Sequence, residues 1–165
     1  MAINLPYDEQ SLRRYLQPKI RIIVETILEN IQEVNKDTID KIVYGAGTPN
    51  EYHRTGQFAD LAWDNRINHS TLYEIEGEFY YKPDGMTDIH PSLRDSQQYG
   101  SAGQDERAYL AEIIYEGVAG HIFGEGFWTK SRDAWSELVK IVGSDKMRKW
   151  IIKGANKARL TISWD

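Results

Sequence analysis

A chain of 165 residues, 41 % hydrophobic and 27 % charged, is long enough for one domain with its own core and too apolar to be disordered. A net charge of −5 argues against a general nucleic-acid binder, because phosphate affinity comes mainly from Lys and Arg. The absence of cysteine excludes disulfides, thiolate nucleophiles and Cys-ligated zinc, and no run of about 18 apolar residues offers a membrane span or signal, so the expectation is a soluble protein of a reducing cytoplasm.

The first third predicts helix. Asp8 stands where an N-cap belongs, and Leu12, Tyr15, Leu16, Ile20, Ile23, Ile27, Ile31 and Val34 recur at helical spacing. Pro18 interrupts the run and predicts either a kink or two helices with Pro18 opening the second. The other face carries Arg13, Arg14, Lys19, Arg21, Glu25 and Glu29 and reads as solvated. "YGAGTPN" (44–50) is a turn by its glycines and proline, and "FADLAWDNRI" (58–67) reads as a strand or a short helix. "LYEIEGEFYYKPDG" (72–85) alternates Tyr73, Ile75, Phe79 and Tyr81 with polar residues around Gly77, which predicts a hairpin there.

Residues 83–107, from Pro83 to Arg107, are polar, rich in turn formers and short of aliphatic side chains, and they read as one long functional loop. "YLAEIIYEGVAG" (109–120) reads as strand or helix ending in glycines. Ala134, Trp135, Leu138, Ile141 and Val142 share one helical face, Gly143 suits the end of that helix, and Ser144 or Asp145 the cap of the next. That next helix carries Met147, Trp150, Ile151, Gly154 and Ala158, and "LTISW" (160–164) alternates like a terminal strand.

Chemical motifs are weak. His53, His69, His90 and His121 show no helical pairing and no HExxH, and Asp88 with His90 is a neighbour pair that a sequence with 25 acidic residues produces by chance. "GEGFWTKS" (124–131) approaches the phosphate-cradling GxxxxGK[ST] loop, but Thr129 replaces the second glycine, Glu125 repels phosphate, and Phe127 and Trp128 crowd the backbone amides. It reads instead as a turn delivering two rings to the core. Ser101 in "YGSAG" lacks the strand-to-helix elbow a serine nucleophile uses. No catalytic, cofactor-binding or metal residue is assigned, and no enzyme is indicated.

The order of elements is more informative. "TPNEYHRTGQFADLAW" (48–63), "YLAEIIYEGVAG" (109–120) and "GFWTKSRDAW" (126–135) together resemble the small tail-completion and head–tail joining (neck) proteins of tailed bacteriophages. In that family a Thr-Gly segment precedes the first strand, a further strand ends in an acidic residue, an aromatic and a glycine, and an aromatic turn leads to the last helices. The resemblance implies structural roles for Arg54, Thr55 and Gly56, with Gly56 permitting a backbone turn. It also implies a virion location, after synthesis in the bacterial host cytoplasm. Its partners would be copies of the chain in a ring and adjoining neck or tail proteins, with duplex DNA passing transiently and without sequence-specific binding. The long loop and "LTISWD" depart from the family pattern.

The expected architecture is α+β, an antiparallel β-sheet packed against N-terminal and C-terminal helices, in a single domain spanning 1–165. An acidic protein-interaction module such as an immunity protein is the alternative, and a metal-dependent hydrolase a more distant one.

Overall fold

A computed structural model describes residues 8–46, 56–86, 107, 110–117 and 130–163. In chain order these form α1 (Glu9–Ile39) with a π turn behind it (Asp40–Tyr44), a one-turn helix α2 (Gln57–Asp60), and strands β1 (Trp63–Ser70) and β2 (Ile75–Tyr81). A 3-10 turn (Pro83–Gly85), α3 (Leu110–Glu116), α4 (Ala134–Ile141), a second π turn (Val142–Lys146) and α5 (Met147–Lys157) follow. The class is α+β, as the sequence suggests: a two-stranded antiparallel sheet with helices towards both ends of the chain. No helix among the described residues is long and apolar enough to cross a membrane. The chain divides into two compact units, residues 1–32, 65–79 and 141–165 in the first and 33–64 and 80–140 in the second.

In the first unit, α1 begins as expected at Asp8. The Ser11 N–H donates to Asp8 Oδ1 at 2.8 Å and the Ser11 hydroxyl to Oδ2 at 2.7 Å, which satisfies a free amide of the first turn. These bonds hold the Asp8 carboxyl below the usual carboxylate range. Pro18 neither ends α1 nor opens a second helix; the helix runs through it. A proline costs about 3 kcal/mol or more in a helix interior. Contacts on either side of it offset that cost, since Gln17 Nε2 donates to Ser70 Oγ at 2.9 Å and Lys19 Nζ to the Ala158 carbonyl at 2.8 Å.

Two different sides of α1 receive the rest of this unit. On one, β2 comes so close that a Cβ on Gly77 would lie 2.7 Å from Val24 Cγ1 and 2.9 Å from Leu28 Cδ1. On the other, a Cβ on Gly154 of α5 would lie 2.8 Å from Ile23 Cα, so the two helices meet almost backbone to backbone. Small side chains at Ala155 and Ala158, both buried, continue that contact surface of α5.

The second unit is built around rings. Phe58 from α2, Trp63 from β1, Tyr81 from β2, Tyr115 from α3 and Trp135 from α4 form a connected cluster with Trp63 at its centre. Trp63 stacks on Trp135 at 5.8 Å and meets Phe58 edge-on at 5.9 Å, geometries worth about 0.5–1.5 kcal/mol each beyond the area buried. Ile39, Val43, Ile114, Ala134 and Leu138 are buried in the same unit. Gly56 adopts φ 77°, a left-handed conformation that turns the backbone, and its carbonyl accepts the first bonds of α2 from Ala59 and Asp60. Lys36 pairs with Asp60, and Lys82 with Asp64 at 2.7 Å; both lysines are raised above the ordinary value by the carboxylate bonded to them.

Several expectations are corrected. The hairpin does not turn around Gly77, which lies inside β2. The turn is Thr71–Glu74, where Thr71 Oγ1 accepts from the N–H groups of Tyr73 and Glu74 and replaces a glycine turn with a side-chain one. Leu110–Glu116 is helix rather than the strand of the family pattern, and its buried residues Leu110, Ile113 and Ile114 follow the helical period. Gly143 does not stop a helix, and neither Ser144 nor Asp145 occupies a cap position: the π turn carries the chain directly from α4 into α5, whose N-cap position is Lys146. Leu160–Ser163 is not a strand, because the Leu160 N–H is spent on the Ala155 carbonyl in the turn that closes α5, and residues 161–163 are exposed.

Candidate interaction surface

The apolar stripe expected to face a core is largely on the surface in the N-terminal half of α1. Leu12, Tyr15, Ile20 and Ile22 are 36–42 % exposed, well above the buried Ile23 and Leu28 further along. The reason is geometric. With 100° per residue, these side chains spread around the helix, whereas among the described residues β2 and α5 approach it on two flanks.

Two grooves border this stretch. The smaller, about 140 Å³, lies where Leu16 and Ile20 face the hairpin turn. Above it the Arg13 guanidinium sits 4.7 Å from the centroid of Tyr73, whose side chain is 73 % exposed. The larger, about 540 Å³, opens between α1 and the end of α5. Its floor is apolar, formed by Tyr15, Pro18, Ile22 and Ala158, and its rim is basic, formed by Arg14, Lys19, Lys157 and Arg159.

These four cations are not equivalent. Lys19 lies 5.0 Å from the Tyr15 ring centroid and is engaged by the Ala158 carbonyl, and Lys157 pairs with Glu29 at 3.0 Å. Arg14 and Arg159 make no ion pair among the described residues. Arg159 also occupies an unusual conformation. Its φ of 56° is left-handed, at the helix-closing position that glycine usually fills, and the bonds from Arg159 N to Asn156 O and Leu160 N to Ala155 O hold it there. For a residue with a Cβ this costs roughly 1–2 kcal/mol. A cation next to the carbonyl end of a helix recovers part of it.

The residues singled out by sequence are scattered. His69 is exposed on β1, while His53, His90, His121, Asp88, Ser101, Arg54, Thr55 and Gly124 to Thr129 lie outside the described residues. Among the described residues no three His, Asp or Glu side chains converge on a point. Lys130 is exposed, and the Ser131 hydroxyl donates to the Tyr115 carbonyl. Of the long loop, Pro83–Gly85 forms the 3-10 turn, Met86 is buried and its carbonyl accepts from Arg107 Nη1 at 2.7 Å, and Tyr81 Oη donates to the Arg107 carbonyl. Residues 87–106 lie outside the described residues. The groove itself was missed because Arg14 and Lys19 read as a solvated face. The available signal was the basic run from Lys146 to Arg159, six Lys or Arg and no acid.

In comparisons with known proteins, no family model, no curated protein and no solved structure matches the chain.

Proposed function

We propose that this chain is a structural virion protein of a tailed phage, a ring-forming subunit at the head–tail connector (neck) or at the tail end. The observation that carries the reading is the exposed apolar set of α1, Leu12, Tyr15, Ile20 and Ile22, together with the apolar groove floor beside it. Exposed apolar side chains beside an apolar groove mark contact sites, and repeated copies in a ring would cover them. The resemblance of residues 48–63 and 126–135 to neck and tail-completion proteins supplies the setting, while within 109–120 Leu110–Glu116 is helix where that family has a strand.

In this role the partners are copies of the chain and the adjoining neck or tail proteins, and duplex DNA passes without sequence-specific contacts. The role uses no cofactor, metal or catalytic centre. The test is mass spectrometry of purified intact particles alongside the lysate that produced them. Recovery of the chain at several copies per particle is the expected result; its presence in the lysate and loss from intact particles would overturn the proposal.

A further inference from the structure

Charge is divided unevenly between the two units. Among the described residues the first carries eleven Lys or Arg against eight Asp or Glu, a net of +3. The second carries seven against ten, a net of −3. The acidic excess includes Glu33, Asp37 and Asp40 along one exposed face of the C-terminal part of α1 and its π turn, and Glu112 and Glu116 one turn apart on α3. The larger groove of the first unit is rimmed by Arg14, Lys19, Lys157 and Arg159.

We infer that this groove receives the acidic second unit of another copy of the chain, so that copies associate head to tail. This deepens the ring-subunit reading and rests on it. Three observations select the occupant. Arg14 and Arg159 form no salt bridge among the described residues, Arg14 acting only at longer range on Asp8, so incoming carboxylates need break no salt bridge. The floor of Tyr15, Pro18, Ile22 and Ala158 gains by covering with side chains, which a phosphate backbone does not provide. A two-fold contact through the groove would bring Arg14 and Arg159 towards their own counterparts and set like charge against like, whereas a head-to-tail contact sets basic unit against acidic unit. Such a heterologous contact generates a ring where its rotation closes.

The test is sedimentation velocity of the full chain from low micromolar to near-millimolar concentration. The expected result is a mass that rises with concentration at low salt and falls back at about 1 M salt, where the screening length is about 3 Å. The double substitution Arg14→Glu/Arg159→Glu is expected to weaken association at least about tenfold. Since an acid at position 159 opposes the helix end, Arg14→Glu/Ile22→Ser is measured beside it, with circular dichroism as the check on folding. A fluorescently labelled double variant keeps its own acidic unit and is expected to pair one-to-one with wild type, capping its assembly.

A monomer at every concentration and salt would overturn the inference. So would self-association that neither double variant reduces, or tight duplex-DNA binding at physiological salt that both variants abolish, which would give the groove to phosphates. None of these results decides whether the chain is in particles, so the inference and the ring-subunit reading fail separately.

Discussion

Asn30 lies in the first unit and Asn35, five residues further along the same helix, in the second; both are buried. Asn30 is satisfied: its Nδ2 donates to the Thr26 carbonyl, and its Oδ1 accepts from Lys153 Nζ of α5 at 3.0 Å. Asn35 is 1 % exposed, and among the described residues neither its Nδ2 nor its Oδ1 has a hydrogen-bond partner. The neighbouring polar groups repeat the contrast. Thr26 in the first unit donates to the Ile22 carbonyl at 2.8 Å, whereas Tyr115 in the second buries a hydroxyl with no hydrogen-bond partner among the described residues, which burial pushes well above its ordinary pKa. The same residue type on one helix thus helps pin α1 to α5 in one place and costs stability in the other. The second unit bears that cost through its aromatic cluster, and the first spends its polar groups on helix pairing and its surface on cations.

The largest expected effect breaks the second unit at its centre. Trp63→Ala removes the ring that contacts Phe58, Tyr81, Tyr115 and Trp135 and should cost about 3–5 kcal/mol, read from urea unfolding. A loss under about 1 kcal/mol would mean the cluster does not hold that unit together.

Making one substitution at both asparagines sharpens the comparison further. Asn35→Leu keeps the branching, removes two unbonded polar atoms and should stabilise by roughly 1–3 kcal/mol. Asn30→Leu forfeits the bonds to Thr26 and Lys153 and should destabilise by about 1 kcal/mol. Opposite signs in the same urea titration are the predicted outcome, and equal signs would erase the distinction drawn between the units.

The smallest effect concerns the helix end in the first unit. Arg159→Gly relieves the left-handed strain, partly offset by the greater freedom of glycine in the unfolded chain, and should raise stability by about 0.5–1 kcal/mol. The same variant should self-associate less. A more stable protein that assembles less well would indicate that the strained arginine is kept for contact rather than for folding.

Much of the fold is legible in residues with a local physical signature. Asp8 marks the start of α1, the spacing from Leu12 to Val34 its body, and Ala134 with Leu138 the buried face of α4. Where reading failed, a tertiary contact outweighed a local rule. Gly77 looked like a turn because glycine often is one, but it is small so that β2 can approach Val24 and Leu28. Pro18 does not split α1 into two helices, and Ser70 and Ala158 hold the residues on either side of it. Gly143 looked like a stop, and a π turn carries the chain past it. The candidate surface was the least legible part. Its apolar floor and basic rim come from segments about 140 residues apart, joined only when α5 packs on α1 through Gly154. The apolar period of α1 also gave no sign of where its cover by other elements ends.

Zero-length carbodiimide cross-linking of a one-to-one mixture of isotopically labelled and unlabelled chain tests the central claim most directly. Links that carry one labelled and one unlabelled peptide report contacts between copies alone. The account predicts that these join amines of the first unit, Lys19, Lys153 or Lys157, to carboxylates of the second, such as Glu33, Asp37, Glu112 or Glu116. Mixed-label links confined to first unit against first unit, or to second against second, would contradict it.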